Sequence, residues 1–316
     1  MKGISELKNT INKVVIAGAG LMGASIAQQF AAYEIKTIIY SNKEEYFQRA
    51  KDIIANCQNV LVENELLTEE KSKEIQNSIT YTIDMQCFKD ADWVIEAVPE
   101  VFEIKKELME KISAIVSADA IISSNTSAIS INTLSKYITN PERFCGTHWL
   151  NPPHIIPLVE IIKSEVTSNN VVETLHSLLT NMNKQPVILK KDVKGFLSNR
   201  LQFALLREAT HLVESGIATP EDIDRTLKYG NGLRYMCSGP FKIVDFGGIS
   251  IFNSVAKYLY PDLTCENDEN HLLKEMVEKG YNGTSNLKGF YSYTEGSARE
   301  EEKQRDIKML KVLSLR

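Results

Sequence analysis

Nothing in this chain of 316 residues is long and apolar enough to cross a bilayer. No run rich in lysine and arginine appears, and the formal net charge is −5. Neither a membrane nor a nucleic acid is therefore an expected partner. The opening residues, Met1–Thr10, are polar and lack the apolar stretch of a signal peptide. Cysteine is scarce and scattered, at Cys57, Cys87, Cys145, Cys237 and Cys265, with no C-x-x-C pair. An odd, dispersed set suits reduced thiols in a cytoplasm better than a disulfide framework, and each is expected to be buried and inert. No repeat or low-complexity segment stands out, and no metal site is expected.

What is there is a globular composition, 43% apolar, on a chain too long for one small core and suited to two domains. The first half alternates short apolar runs with helical patterns. Candidate strands are Val14–Ala17, Thr37–Tyr40, Ile79–Thr82, Trp93–Ala97, Ile121–Ser124, Phe144–Trp149 and Pro186–Leu189. Ile155–Ile162 is a further candidate, limited by Pro157 to an edge or a bend. Helical patterns include Tyr46–Val62, Glu103–Val116 and Asn170–Asn181. This alternation predicts an α/β fold, an open and mostly parallel sheet with helices on both faces.

After Lys190 strand signals nearly vanish. One helical pattern runs from Gly195 to Gly216, Thr219-Pro220 reads as an N-cap followed by proline at the first helical position, and further patterns cover Phe241–Leu259, Glu269–Lys279 and Ala298–Leu313. The division is expected near residue 190, with a nucleotide-binding domain over 1–190 and an all-α domain over 191–316.

The strongest local signal is Val14-Val15-Ile16-Ala17-Gly18-Ala19-Gly20-Leu21-Met22-Gly23. A strand runs into Gly-x-Gly-x-x-Gly, and a helix pattern follows. That order is the Rossmann-type site for a dinucleotide pyrophosphate: Gly18 for the sharp turn, Gly20 for close approach of backbone to phosphate, Gly23 for helix–strand packing. The helix N-terminus adds unpaired N–H groups and partial positive charge. The second strand ends Tyr40-Ser41-Asn42-Lys43, with no acid at Ser41 to bond the adenosine ribose. NAD is the favoured cofactor, with Ser41 and Asn42 as neutral ribose partners. The missing acid leaves NADP open, since nothing there repels a 2′-phosphate and Lys43 could attract one.

Two segments carry candidate chemistry, Ser123-Ser124-Asn125-Thr126-Ser127 and Gly146-Thr147-His148-Trp149-Leu150-Asn151-Pro152-Pro153, the second followed by Leu158-Val159-Glu160. Strand C-termini line the ligand crevice of an open parallel sheet, so Ser127 and His148 would sit there. A histidine is the natural acceptor of an alcohol proton, and a carboxylate such as Glu160 would orient it and stabilise its charged form.

These residues resemble the 3-hydroxyacyl-CoA dehydrogenase family, whose motif runs S-N-T-S, then H-F-F-N-P, then L-V-E. The matching residues are Ser124–Ser127, His148–Pro152 and Leu158–Glu160. The likeness continues through Lys194–Arg200, Gly239–Phe241, Asp245–Gly248 and Gly289–Tyr291, and so covers nearly the whole chain. It implies that His148 takes the proton from a substrate 3-hydroxyl while a hydride leaves to NAD, and that Glu160 holds His148. It implies further that Ser127 and Asn199 bond the reacting oxygen and carbonyl, that Asn151 lies near the nicotinamide, and that Glu100 and Lys105 hold the cofactor. A homodimer made through the helical domain, with a small 3-hydroxyacyl substrate, is also implied.

Departures bear on the substrate. Family members that use CoA carry a serine and lysines on the arm after the second strand, where an ungapped comparison puts Cys57 and Asn64 in an acidic Val62-Glu63-Asn64-Glu65 context. Such a patch should repel CoA phosphates. Ser285 stands where relatives have lysine. His148-Trp149-Leu150-Asn151-Pro152-Pro153 and Gly232-Leu233-Arg234-Tyr235 are similar to the family's free-acid branch, which includes L-gulonate 3-dehydrogenase and L-carnitine dehydrogenase, and Arg234 would suit a carboxylate. The leading expectation is reversible NAD-dependent oxidation of an L-3-hydroxyacyl-CoA. A free 3-hydroxy acid is the alternative, and a non-catalytic nucleotide-binding protein is the alternative of another class.

Overall fold

The computed structural model describes residues 11–268 and 270–315; the polar opening Met1–Thr10 lies outside them. Contacts along the chain separate two compact units. One runs to Asn199 and takes in the chain again from Lys303; the other runs from Arg200 to Glu302.

The first unit is built on one eight-stranded sheet: β1 (Lys13–Ala17), β2 (Lys36–Tyr40), β3 (Ile79–Thr82), β4 (Trp93–Glu96), β5 (Ile121–Ser124), β6 (Phe144–Trp149), β7 (Leu158–Lys163) and β8 (Gln185–Leu189). The order is β3-β2-β1-β4-β5-β6-β7-β8, parallel except where β7 meets β6. The first six strands carry the doubly wound 3-2-1-4-5-6 order, so the crevice opens between β1 and β4, where the winding reverses. Pro157 sits just ahead of β7, which starts at Leu158 rather than near Ile155.

Helices α1 (Leu21–Ala32), α2 (Glu45–Glu63), α3 (Glu69–Ser78), α4 (Phe102–Ile115), α5 (Ile131–Ser135) and α6 (Asn169–Asn181) connect the strands. The alternation of the strands splits the core in two. Val14 and Ile16 of β1 join Phe30, Trp93 and Trp149 on one face. Val15 and Ala17 join Val94, Met109, Ile112 and Phe144 on the other. With both faces covered, β1 is buried along its whole length, which is why Val14–Ala17 reads as an unbroken apolar run. The sequence reading names no helix between Val62 and Ile79. The structure has α3 there, started by Thr68, whose hydroxyl accepts the Lys71 N–H at 3.1 Å.

The remaining helices are α7 (Ser198–Glu214), α8 (Pro220–Thr226), α9 (Gly232–Cys237), α10 (Pro240–Gly247), α11 (Ile249–Leu259), α12 (His271–Glu278) and α13 (Glu295–Leu313), with a π-helical turn over Leu227–Asn231. Thr219 caps α8 through the Asp222 N–H, ahead of Pro220. The single pattern Phe241–Leu259 is two helices, because Gly248 takes φ 91°, a left-handed value that ends one and starts the next. The pattern begun at Gly195 becomes helical only at Ser198. Gly195 and Phe196 both have positive φ, and Phe196 is buried in the core of the first unit, so the segment after β8 packs there up to Asn199. Among the described residues all five cysteines are free thiols, but Cys237 and Cys265 are exposed and only Cys145 is fully buried. Both exposed thiols lie in the second unit, whose helices bury few side chains within the single chain.

Candidate active site

The glycine turn joins β1 to α1 at the switch point. At Gly18, φ is +139°, and a Cβ would stand 2.4 Å from the Ala97 carbonyl oxygen. At Gly23 a Cβ would stand 2.0 Å from the Gly18 carbonyl oxygen. Both positions are fixed by the protein's own backbone. Around Gly20 nothing lies within 4 Å of a Cβ position, so the protein leaves open the space that a phosphate needs. Gly20 is the N-cap of α1, and no side chain caps the helix. Its first-turn N–H groups are left for a ligand, which fits the pyrophosphate of NAD. Ala19 is buried, Met22 half-buried and Leu21 exposed. The Gly18 N–H donates to the Tyr40 carbonyl at 2.9 Å and ties the turn to the end of β2. Ser41 follows, buried, its hydroxyl accepting the Lys43 N–H at 3.4 Å, while the Lys43 ammonium is 3.3 Å from Glu45.

On the other side of the crevice, antiparallel pairing puts His148 of β6 directly opposite Glu160 of β7. Their side chains meet, His148 Nδ1 to Glu160 Oε2, at 2.6 Å. The second carboxylate oxygen accepts the Leu197 and Ser198 N–H groups at 2.8 and 2.9 Å. The carboxylate is wholly buried and the imidazole nearly so. Burial pushes the Glu160 carboxyl up, yet the His148 hydrogen bond and the two backbone N–H groups outweigh it and hold the acid below its usual range. With Glu160 ionised, Nδ1 carries the proton and Nε2 is the free nitrogen. Phe196 lies over the ring at a centroid distance of 5.5 Å.

Between these flanks lies a second acidic network. Glu100 lowers onto the turn after β5, its Oε1 accepting the N–H groups of Ser127 at 3.1 Å and Ala128 at 3.0 Å and the Thr126 hydroxyl. Its other oxygen is 3.1 Å from the Lys105 ammonium. Burial raises the Glu100 carboxyl, but the Thr126 hydroxyl and the Lys105 charge win and lower it. Lys105, on α4, also reaches Glu96 at 2.7 Å. The Asn199 amide approaches the Ser127 carbonyl oxygen at 3.5 Å. Asn151 is exposed beyond β6.

The structure thus brings together His148 with Glu160, Ser127 with Asn199, and Glu100 with both Lys105 and the Ser127 turn. Sequence reasoning placed Ser124 and Thr126 in a candidate segment without giving them a role; it missed Glu96, which joins them in the acidic network, and Phe196, whose left-handed backbone delivers the Leu197 and Ser198 N–H groups. The one available signal was a glutamate closing the apolar strand Trp93-Val94-Ile95-Glu96, since a buried charge has to be paired.

A solved structure of a 5-formyl-3-hydroxy-2-methylpyridine 4-carboxylic acid 5-dehydrogenase, described as an NAD+-dependent dismutase, superposes with a TM-score of 0.89 at 33% identity, covering 96% of this chain and 98% of that one. A probable 3-hydroxybutyryl-CoA dehydrogenase of Deinococcus radiodurans is 33% identical over 89% of this chain and 100% of its own. An L-carnitine dehydrogenase of Oceanobacillus iheyensis is 30% identical over 96% of this chain and 98% of its own. Residues 13–193 match the 3-hydroxyacyl-CoA dehydrogenase NAD-binding domain and residues 195–293 its C-terminal domain. The chain belongs to the 3-hydroxyacyl-CoA dehydrogenase family, NAD-dependent enzymes that act on CH–OH groups.

Proposed function

We propose that this enzyme interconverts the 3-hydroxy and 3-oxo forms of a small acyl substrate, with His148 as the general base. The observation that carries this reading is the His148–Glu160 pair at 2.6 Å. Bound NAD supplies the hydride acceptor. His148 Nε2 takes the hydroxyl proton as the hydride leaves, and the Glu160 carboxylate stabilises the imidazolium that forms. Ser127 and Asn199 would bond the reacting oxygen and carbonyl, and Asn151 would help hold the nicotinamide end of NAD. In the reverse direction the imidazolium returns the proton to the 3-oxo oxygen.

The substrate form we favour is the free acid. Cys57, in the place of the serine that CoA-using relatives carry, is turned inward, with its sulfur 3.9 Å from the Ser25 hydroxyl. Asn64 folds back on the Val60 carbonyl at 2.8 Å, and Glu63 pairs with Lys303. Neither Cys57 nor Asn64 offers a cation to a CoA phosphate, and the Lys303 ammonium beside them is paired with Glu63. Two of the three relatives above are named for substrates with free carboxylates. The CoA thioester is the second reading, favoured by the Deinococcus relative and by Gly289-Phe290-Tyr291. An NADH-oxidation assay on acetoacetyl-CoA, 3-oxo free acids and 3-dehydrocarnitine decides: a strong preference for acetoacetyl-CoA overturns the free-acid form. Activity on none of them overturns the reaction.

A second copy of the chain is the partner we infer. Phe241, Phe246 and Tyr258 in the second unit are each at least 70% exposed in the single chain, and Ile249 and Ile251 between them are more than 60% exposed. Patches of this extent mark contact surfaces. Sedimentation at micromolar concentration should give a dimer, and a monomer would sink this assignment. With five free thiols among the described residues, a reducing cytoplasm is the compartment the chain suits.

A further inference from the structure

Among the described residues, the non-glycine residues with a left-handed backbone are Glu34, Glu65, Asn140, Asn183, Phe196 and Leu287. Glu34, Glu65 and Asn183 follow the ends of α1, α2 and α6, where a left-handed residue is an ordinary way to stop a helix. Phe196 has no such reason. It comes ahead of α7, at φ 51°, and is the only buried residue of the set, 1% exposed. A bulky side chain resists that conformation, whereas glycine adopts it freely. Strain of this kind persists only where the surroundings impose it, and it points to a role.

The consequence of the turn is visible at Glu160. With Gly195 also at positive φ, 75°, the chain bends so that two successive N–H groups, of Leu197 and Ser198, converge on one carboxylate oxygen at 2.8 and 2.9 Å. Successive N–H groups make an anion-binding concavity. They also open α7, whose first turn has no acid of its own, so Glu160 supplies the negative charge from β7. The phenyl ring is what anchors the bend. It is buried in the core cluster with Ile131, Ile162 and Leu189 and meets the His148 ring at 5.5 Å. Burial of a ring offsets the backbone strain, and a glycine would make the same bend without the anchor. We propose that Phe196 is a positioning residue for the His148–Glu160 pair: its buried ring anchors a left-handed turn, and the turn aims two N–H groups at Glu160 and holds that carboxylate in line with Nδ1. This rests on the reading of the pair as the proton-handling group.

The test uses two isomeric side chains. Leucine and isoleucine fill the same volume, but the β-branch of isoleucine tolerates the left-handed region far less. Phe196→Leu should lower kcat about threefold, and Phe196→Ile about tenfold further, with the NADH Kd within about twofold of wild type in both. In a Glu160→Gln background the amide no longer stabilises an imidazolium, so its exact placement stops mattering and the two kcat values should agree within about twofold. A mere packing defect would keep the tenfold gap there. Equal kcat for the two variants beside Glu160, or a gap that survives Glu160→Gln, overturns the proposal. Where Phe196→Ile fails to fold, Phe196→Leu decides: its threefold loss should vanish with Glu160→Gln, and no loss, or the same loss in both backgrounds, overturns the role of Phe196. Glu160→Gln at wild-type kcat overturns the reading of the pair and the proposal with it. A normal loss in Glu160→Gln with a persisting gap overturns Phe196 alone.

Discussion

The two flanks of the crevice are made of different materials. At the β1–α1 turn the site is backbone: three glycines, an uncapped helix end and a strand-to-strand hydrogen bond, with no charged side chain required. Across β4 to β7 it is side chain: the carboxylates of Glu100, partly exposed, and Glu160, wholly buried, each holding backbone N–H groups with one oxygen and a cationic or ionisable partner with the other. The first kind of flank recognises an anion of fixed shape and needs only room and dipoles. On the proposed reading the second governs where a proton sits, which demands a base and an acid that stays ionised beside it. Substitutions on the two flanks should therefore fail differently.

The largest effect belongs to the proton-handling flank. His148→Gln should lower kcat by about a thousandfold or more, within the range general-base removal gives, while the NADH Kd moves less than about twofold. Rapid turnover by this variant, read in single-turnover assays, would dissolve the contrast between the flanks. Next comes Glu160→Gln. The amide still accepts from Leu197 and Ser198 but no longer stabilises an imidazolium, and kcat should fall about a hundredfold. The acid should also show in stability. Its folded carboxyl lies below the ordinary value, so the unfolded chain binds a proton more readily as the pH drops. Its contribution is complete above the unfolded carboxylate range and is lost as pH falls through the lowered folded value. Melting curves across that acid range should fall less steeply for Glu160→Gln than for wild type, and identical slopes would remove Glu160 from the account.

On the backbone flank the glycines sort themselves. Gly18→Ala and Gly23→Ala put a methyl into carbonyl oxygens 2.4 and 2.0 Å away, and both should lower the melting temperature sharply. Gly20→Ala meets no protein atom and needs no unusual φ. It should leave stability within about 0.5 kcal/mol of wild type and yet weaken NADH by about tenfold, because the methyl enters the phosphate's space. Intact affinity would mean the pyrophosphate does not approach Gly20.

How much of this was legible follows from the same division. The ends of β3, β5 and β6 match the sequence reading because short β-favouring segments between helical patterns and turn residues leave little freedom in where the strand ends. The glycine turn is legible because its function is its spacing. Glu160 and His148 could be paired through the resemblance, since two strands join them. Glu96 could not, because its partner Lys105 lies on a helix where lysine at that position looks like an ordinary solvated residue, and burial under the Ser127 turn has no periodic signature. Residues 190–199 read as the start of the helical region because they lack a strand pattern. They stay with the sheet because Phe196 fills its core and Glu160 takes two of their N–H groups.

The smallest expected effect tests whether the backbone flank needs a charge at all. Ser41 closes β2 with its N–H on the Thr82 carbonyl at 3.1 Å, so the chain path there is set by the sheet and should tolerate a new side chain. Ser41→Asp keeps an acceptor for the Lys43 N–H and adds the carboxylate that usually bonds the adenosine ribose. It should lower the KM for NADH by about threefold and cut kcat/KM with NADPH by about tenfold, since an acid there repels a 2′-phosphate. Lys43 already faces Glu45 at 3.3 Å, so its pull on that phosphate is partly neutralised and the wild type should still favour NADH. If Ser41→Asp changes neither cofactor's kinetics, the ribose is held somewhere other than the end of β2, and the neutral flank ends at the glycine turn.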